Sequence, residues 1–269
     1  MAARGRHRPT RRRFTAGALA LAALGAEAAY TVASPAGRAS ATGGCAPNES
    51  IPMGKYWINN NTWGAKNGKG WSCAWDTYTS GSTIGWGTNY EWSGDPNAVK
   101  SYASSVLGWH WGWKVAQTGL PVRVSDQKPV RTAWSYKVTE SKESVYDVAY
   151  DLWLHDSDRT DWRSRPKHEV MVWLAKDGGA GPLGTKRERL EIGGAAWDLY
   201  VGDIGWHVYS FVRVGNTTSA SLDLDDFLQA LVRRGLVDRT DYLSGVEAGT
   251  EVFTGKAQLD TTAYSVNVG

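Results

Sequence analysis

Carboxylic acids that alternate with aromatic residues are the side chains of this sequence best suited to chemistry. Residues 168–174 alternate, and the two-residue period of a strand places Glu169, Met171 and Trp173 on one face. The other face is aliphatic and suits the interior of a β-sandwich. An acid, a thioether and an indole on one face are typical of a groove that stacks sugar rings. The alternative is a surface strand whose glutamate is only solvated.

A second candidate strand repeats this pattern. Residues 145–155 place Asp151 and Trp153, together with Ala149, opposite an apolar face. Two strands therefore offer an acid and a tryptophan to one predicted concave face. A solvated Asp151 remains the alternative, because spacing alone does not separate the two.

A third acid lies near the C-terminus, in a short segment with glycines on both sides. Glu251 follows Gly249 and precedes Gly255, and Glu247 lies four residues earlier. The spacing does not choose between the two glutamates, so each remains a candidate for the third carboxyl group.

Other kinds of catalytic site are not supported. The Gly-x-Ser-x-Gly motif of serine hydrolases does not occur, and the Gly68-Lys69 pair is followed by Gly70 where a phosphate-binding Walker loop needs serine or threonine. The five histidines and two cysteines show no Cys-x-x-Cys or His-x-x-x-His spacing. We therefore expect no metal and no other cofactor, which leaves carboxylate chemistry.

The tryptophan content indicates a carbohydrate-binding surface. All 15 tryptophans follow residue 56, a density above what packing alone should recruit, because indole is rarely fully buried and its N–H needs a partner. Indole faces stack on the C–H faces of pyranose rings, and Asn59, Asn60 and Asn61 beside Trp63 could hydrogen-bond sugar hydroxyls. For any single tryptophan, a place in the core is the alternative.

The elements that must position these side chains are predominantly strands. From residue 50 onward, short apolar or alternating runs are separated by glycine, asparagine, aspartate and serine, which indicates a sandwich or a barrel. Neither an internal repeat nor a second domain boundary is evident. Candidate strands are residues 55–63, 84–92, 105–115, 130–138, 145–155, 168–174, 195–201, 207–214 and 261–268.

One helix is predicted late in the chain. Apolar residues recur at three and four positions between Leu224 and Val232. Asp223 suits the N-cap, and Gly235 suits the left-handed conformation just past the last turn. The sequence therefore predicts an almost all-β chain with a single helix.

The charge of the chain changes sign at about residue 41. The formal net charge is +3, but residues 1–41 carry seven arginines and one glutamate, which leaves 23 basic and 26 acidic residues for the rest. A weakly acidic domain has no electrostatic footprint for nucleic acid or anionic lipid, and no apolar run reaches the ~20 residues of a membrane span. We expect neither nucleic acid nor a membrane among its partners.

Residues 1–41 have the features of an export signal followed by a small-residue tether. Basic residues extend to Arg13, the apolar run 16–25 follows, and Ala28 and Ala41 each end an A-x-A cleavage pattern. Residues 10–14 (TRRRF) are similar to the start of a twin-arginine signal, although such clusters also occur in ordinary secretion signals. We expect a secreted protein whose mature domain spans residues 42–269.

The only two cysteines, Cys45 and Cys73, are expected to form a disulfide. An exported chain folds in an oxidising compartment, where an isolated pair of cysteines is favoured to oxidise. Two buried free thiols are the alternative.

Several segments, taken in order, resemble glycoside hydrolase family 12, and the resemblance spans most of residues 45–269. Each segment is weak alone, but seven in order are specific. Departures from the family pattern are Val252 after the third acid, His168 before Glu169 and the basic turn 159–167, and they bear on substrate preference. The set is residues 60–64 (NNTWG), 92–94 (WSG) with 99–102 (VKSY), 149–153 (AYDLW), 169–174 (EVMVWL), 197–200 (WDLY), 234–236 (RGL) and 249–255 (GTEVFTG).

The resemblance implies an all-β jelly roll of two packed antiparallel sheets with a substrate groove along the concave sheet. It also implies that Glu169 is the nucleophile, Glu251 the general acid/base and Asp151 the carboxyl that hydrogen-bonds the nucleophile. Glu247 stands where many relatives have glutamine, so by this resemblance it is not the acid.

The resemblance also supplies binding residues and a reaction. Asn61 and Trp63 match residues that line the minus subsites, and Met171 and Trp173 extend the groove floor. The implied activity is retaining, endo-acting hydrolysis of internal β-1,4-glucosidic bonds in cellulose-like, mixed-linkage or xyloglucan chains through a covalent glycosyl-enzyme. The alternatives are a non-catalytic carbohydrate-binding jelly roll and an endoxylanase. We expect a monomer whose partner is a β-glucan polysaccharide.

Overall fold

The computed structural model describes residues 42–111, 113–161 and 163–269, and the predicted export segment 1–41 lies outside the described residues. Strands dominate this part of the chain, as the sequence predicts. They are β1 (Gly43–Gly44), β2 (Ser50–Met53), β3 (Tyr56–Asn61), β4 (Gly68–Ser80), β5 (Thr83–Gly94), β6 (Ser101–His110), β7 (Trp113–Lys114), β8 (Val122–Arg123), β9 (Val130–His155), β10 (His168–Asp177), β11 (Thr185–Ile192), β12 (Ala195–Asp203), β13 (His207–Arg213), β14 (Ser219–Asp223) and β15 (Tyr242–Val268), with helix α1 (Asp225–Val232) and 3-10 turns at Ala65–Asn67 and Val124–Asp126.

Two long strands build the frame of the molecule. β9 and β15 pair antiparallel along almost their whole length, with register shifts that bend β15 near Val252 and Lys256. The second half of β9 and the first half of β15 extend through β10, β13, β12 and β11 on one side and through β6, β3 and β2 on the other. The other halves join β14, β5, β4 and β1. The result is the expected jelly-roll sandwich of two packed layers.

One strand pair departs from the expected antiparallel arrangement. β10 and β13 are parallel, with Glu169 opposite Val208, whereas the remaining strand pairs of the described residues are antiparallel. The cause is the chain path: β11 and β12 form a hairpin at the sheet edge, and β13 returns between that hairpin and β10. This return places β13 beside β10 and makes the two strands run in the same direction.

The alternation of β9 and β10 sorts their side chains as predicted. The aliphatic face of β10, which carries Val170, Val172 and Leu174, is buried in the main core, and Tyr150 and Leu152 of β9 lie in the same core. The opposite face of both strands points to the concave side of the sheet. This sorting places the acids and tryptophans on one surface.

The helix forms where the sequence predicts it, with one difference at its start. Phe227, Leu228 and Leu231 are buried in the main core, and Gly235 adopts a φ of +67°. Leu224, rather than Asp223, occupies the N-cap. Asp223 instead accepts hydrogen bonds through Oδ1 from the N–H of Asp225 at 3.2 Å and from that of Val130 at 2.8 Å, so it ties the helix entrance to β9.

Two further expectations concern element length and the disulfide. The predicted strands 130–138 and 145–155 are halves of β9, and the predicted strand 261–268 is the end of β15. Strand 105–115 ends at His110, and β2, β4, β11 and β14 have no counterpart among the candidate strands. The disulfide between Cys45 and Cys73 is confirmed. None of the helices in the described ranges is long and apolar enough to cross a membrane.

Candidate active site

A groove of about 1260 Å³ lies on the concave face of the sandwich. Asp151, Glu169 and Glu251 all line it. Its walls are mostly indole and other apolar side chains, a combination that suits a pyranose chain with a few fixed polar groups. The three acids predicted from the sequence are therefore brought together in one groove.

Glu169 is the second residue of β10 and lies opposite Trp153 of β9. Its side chain is mostly buried, with 8 % of the residue exposed. Nε1 of Trp206 donates a hydrogen bond to Oε2 of Glu169 at 2.7 Å. An N–H donor stabilises the ionised form of a carboxyl group.

Asp151 lies on the strand between those that carry Glu169 and Glu251. It lies on β9 opposite Met171 of β10 and Glu247 of β15, and only 3 % of it is exposed. Its Oδ1 is buried without a hydrogen-bond partner among the described residues. The hydrogen bond from Asp151 to Glu169 that the resemblance implies stays a prediction.

Glu251 reaches the groove from β15, the neighbour of β9 on the side away from β10. Its N–H donates to Oδ1 of the buried Asp147 at 3.4 Å. Asp147 lies on β9, six positions before Trp153, which is the β9 residue opposite Glu169. Glu169 and Glu251 nevertheless line one groove, and they are near enough that the charge of Glu251 acts on Glu169. A glucan lying across the strands would thus pass between two carboxyl groups.

Glu247, the alternative third acid, is enclosed by side chains of the neighbouring strands. It is fully buried, and its carboxylate accepts hydrogen bonds from Nε1 of Trp153 at 2.7 Å and Oγ of Ser104 at 2.6 Å. Nδ1 of His110 lies 2.6 Å from Oε1 of Glu247. Both oxygens of Glu247 are therefore engaged by protein groups, whereas Glu251 lines the groove.

The acids of the groove hold protons more tightly than free carboxyls do. Burial raises the pKa of Glu169 to about 8, and repulsion from Glu251 acts in the same direction. Burial raises the pKa of Glu251 to about 7. The pKa of Asp151 is also raised, by burial first and then by the charge of Glu169. Near neutral pH the groove therefore holds both ionised and protonated carboxyl groups, as paired acid catalysis requires.

The predicted binding residues line the same groove. Asn61, Trp63, Met171 and Trp173 all contribute to its surface. Trp63 is 57 % exposed, an unusual exposure for an indole without a ligand. Asn61 Oδ1 accepts the N–H of Trp63 at 3.0 Å, and Nε1 of Trp173 donates to Sδ of Met171 at 3.5 Å.

The asparagine cluster next to Trp63 divides between groove and core. Asn59 and Asn61 line the groove, but Asn60 donates to the carbonyl oxygens of Ala46 and Ser72 at 3.0 and 2.9 Å. The expectation that Asn60 binds sugar is wrong for this reason. Strand alternation explains it, because the middle residue of the three points to the opposite side of β3.

Sequence reasoning missed two groups that lie beside the candidate acids. Trp206 precedes β13, and its position two residues before Val208 on an alternating strand places it on the concave face; that alternation was available as a signal. Asp147 lies four residues before Asp151 on the same face of β9, and its burial raises its pKa well above the usual range. No spacing indicated that Asp147 would lie beside Glu251.

A metal centre has no ligand set in the part of the chain that the structure describes, since no three of its histidine, cysteine, aspartate and glutamate side chains are grouped to hold an ion.

Comparisons with known proteins give a consistent family. The family model described as glycosyl hydrolase family 12 matches residues 54–269. Endoglucanase S of Pectobacterium parmentieri is 37% identical over 222 residues, 80% of this chain and 82% of that protein. Xyloglucan-specific endo-beta-1,4-glucanase A of Emericella nidulans is 35% identical over 230 residues, 83% of this chain and 90% of that protein.

A solved structure supports the same relationship. The native family 12 xyloglucanase from Bacillus licheniformis superposes with a TM-score of 0.77 at 36% identity and covers 85% of this chain and 100% of that chain. The fold over this share of the chain therefore has a counterpart of known structure.

Proposed function

The chain belongs to glycosyl hydrolase family 12 and is an endo-β-1,4-glucanase, and we propose that Glu169 is its nucleophile and Glu251 its general acid/base. The observation that carries this assignment is that Glu169 on β10 and Glu251 on β15, the two strands that flank β9, line one groove together with several indole rings. A glycosidic acetal needs a proton on its leaving oxygen and an electron pair at the anomeric carbon, and two carboxyl groups on either side of the bond supply both.

The reaction proceeds in two displacements. In the first, a carboxylate oxygen of Glu169 bonds to the anomeric carbon, the bond from that carbon to the glycosidic oxygen breaks, and the proton of Glu251 passes to that oxygen. In the second, Glu251 takes a proton from water, whose oxygen displaces Glu169 and restores its carboxylate. Two inversions at one carbon give net retention.

Glu251 is assigned as the acid rather than Glu247 because of access. Glu247 is fully buried and binds Ser104 and Trp153, whereas Glu251 lines the groove. A general acid must reach the oxygen that it protonates. Asp151, between the two glutamates and itself protonated by its raised pKa, orients Glu169 by donating a hydrogen bond once the sugar is bound.

The substrate within this class is xyloglucan. The support is the name of the relative from Emericella nidulans, xyloglucan-specific endo-beta-1,4-glucanase A, and the xyloglucanase from Bacillus licheniformis at 36% identity. The groove of about 1260 Å³ exceeds the 300–1,000 Å³ typical of small-molecule sites, which leaves room for a branched chain. Glucan side chains would lie against the exposed rim at Leu183 and Ile204.

The enzyme acts outside the cell as a monomer. The disulfide between Cys45 and Cys73 suits an oxidising compartment, and the leader pattern of residues 1–41 accounts for export. We place the start of the catalytic domain at residue 42, directly after the A-x-A pattern that ends at Ala41.

A covalent-labelling experiment tests the assignment. An aryl 2-deoxy-2-fluoro-β-cellobioside with a good leaving group slows the second displacement more than its own activated first displacement, so the glycosyl-enzyme accumulates. Peptide mass spectrometry should locate the sugar on Glu169. A label on Glu251, or on neither glutamate, would refute the proposed roles. Initial rates on xyloglucan, mixed-linkage β-glucan and carboxymethylcellulose, measured side by side, test the substrate, and a kcat/KM that is not highest on xyloglucan would exclude it.

A further inference from the structure

The indole of Trp206 makes the only protein hydrogen bond to the carboxyl group of Glu169 among the described residues. Its Nε1 lies 2.7 Å from Oε2. Trp206 directly precedes β13, the parallel neighbour of β10, in which Val208 lies opposite Glu169. Trp206 is thus one alternation step from the partner of Glu169 and lies on the same concave face.

Trp206 is itself held in place by neighbouring side chains. The guanidinium of Arg165 lies over its ring, 5.9 Å from the centroid, within the range of a cation–π contact. The ring of Trp206 also contacts Trp111 and Trp153, with centroids 5.7 and 6.2 Å away. An indole held by these contacts presents its N–H in a constant direction.

The turn that carries Trp206 is fixed by the same arginine. Nη2 of Arg165 donates to the carbonyl oxygen of Gly205 at 2.6 Å, and the N–H of Gly205 donates to Oδ1 of Asp203 at 2.8 Å. Gly205 has a φ of +102°, and a Cβ there would meet Arg165 at 2.1 Å. Arg165 therefore packs directly on the backbone next to Trp206.

We propose that Trp206 is a positioning residue for the nucleophile and that Arg165 holds Trp206 in the orientation it needs. The inference rests on the proposed role of Glu169. By binding Oε2, the indole N–H fixes the rotation of the carboxylate and leaves Oε1 for attack on the anomeric carbon. In the second displacement the same N–H stabilises the negative charge that returns to Oε2 as the ester bond breaks.

The charges around Glu169 explain why such a donor matters. Asp151, Glu247 and Glu251 face it from β9 and β15, and each makes ionisation of the groove acids harder. The hydrogen bond from Trp206 is the contribution that lowers the pKa of Glu169 against burial. Arg165 is the cation that lies on Trp206. Removing the donor should raise the pKa of Glu169, so the acid limb of the kcat/KM profile should move to higher pH.

A role as a stacking wall for sugar is the competing explanation, and Trp206→Phe separates the two. Phenylalanine keeps an aromatic surface but has no N–H. We expect kcat to fall about 10- to 100-fold, as for loss of a hydrogen bond to a charged group, with KM changed less than threefold. The acid limb of kcat/KM should shift upward by about one pH unit. A raised KM with an unmoved acid limb would overturn the proposal.

A matched control and a second variant complete the test. Trp71→Phe makes the same substitution at a partly buried indole on β4, outside the groove lining, and should leave the acid limb in place. Arg165→Met removes an exposed guanidinium without disturbing the core and should shift the limb in the same direction by a smaller amount. If Trp206→Phe does not fold, Arg165→Met decides, and an unmoved limb overturns the proposal.

The fluorosugar label separates failure of the role proposed for Glu169 from failure of the role proposed for Trp206. If wild-type enzyme is not labelled on Glu169, the proposed function fails, whatever the variants do. If Glu169 is labelled but the acid limb of Trp206→Phe is unchanged, the catalytic assignment stands and only the role of Trp206 is refuted.

Discussion

Nδ1 of His110 lies 2.6 Å from Oε1 of Glu247, inside the sheet beneath the groove. Glu247 also binds Trp153, a wall residue of the groove, so this buried carboxylate supports the surface on which sugar is bound. Glu251, four residues later on the same face of β15, carries its carboxyl group into the groove. The two glutamates that spacing could not separate thus differ in access.

This difference predicts opposite outcomes for two variants. Glu251→Ala should slow hydrolysis of natural glucans by several orders of magnitude but affect aryl β-cellobiosides with good leaving groups far less, because such leaving groups need little protonation. Glu247→Gln should leave activity largely intact, since a glutamine can still accept hydrogen bonds from His110 and Trp153. Steady-state kinetics on both substrate types provide the measurement. The reverse pattern would make Glu247 the acid.

The raised pKa values of the groove acids predict the pH dependence of the reaction. The productive form has Glu169 ionised and Glu251 protonated. Burial raises the pKa of both groups, and the charge of Glu251 adds to the rise for Glu169, so the two carboxyl groups share one proton near neutral pH. At higher pH Glu251 loses the proton that it must donate, and at lower pH Glu169 gains a proton and can no longer attack. We expect a bell-shaped kcat/KM profile with its maximum near neutral pH. With an aryl glycoside of a very good leaving group the alkaline limb should weaken, and an equally steep limb would contradict the assignment of Glu251.

The sequence predicted what strand alternation controls and failed where distant segments meet. Glu169, Met171 and Trp173 fall on the groove face because a period of two leaves no other choice once the aliphatic face is buried. The proximity of Trp206 to Glu169 depends instead on the parallel pairing of β10 with β13, which follows from a hairpin return that spacing does not encode. The burial of Glu247 depends on His110 and Ser104, both from β6.

The disulfide should contribute measurably to stability. Cys45 and Cys73 are 28 residues apart, and closing a loop of this size stabilises the folded state by about 3.5 kcal/mol on the chain-entropy estimate. The double variant Cys45→Ser, Cys73→Ser should therefore unfold at lower denaturant concentration, and its free energy of unfolding should depend more steeply on denaturant, because the unfolded chain without the crosslink is more expanded. Urea unfolding with and without reductant is the measurement. A wild-type protein whose unfolding is insensitive to reductant would contradict this contribution.

Removing the charge of Glu169 should stabilise the protein above neutral pH. Burial raises its pKa in the folded protein above the 4.5 of the free side chain, so the folded state binds the proton more tightly than the unfolded state, and stability falls as pH rises from about 4.5 through the raised folded value. Glu169→Gln avoids this loss. Its Tm should exceed that of wild type at pH 8, by about 2–4 °C for each kcal/mol, with the charge-related difference disappearing at pH 4. The exposed Glu143→Gln is the control, and a Tm difference for Glu169→Gln that does not change with pH would contradict the argument.

Loss of the nucleophile tests role, stereochemistry and architecture together. Glu169→Ala removes the covalent route, so turnover should fall by several orders of magnitude, as at other nucleophiles, while the fold survives because the side chain faces the groove. The space left by the carboxyl group can admit a small anion, so azide should partly restore activity on an activated aryl β-cellobioside and yield a glycosyl azide of α configuration. Wild-type enzyme, followed early by proton NMR, should release the β-anomer first. Early release of the α-anomer would mean a single inversion by water, which requires carboxyl groups ~6.5–9.5 Å apart, and Glu169 would then be a base rather than a nucleophile.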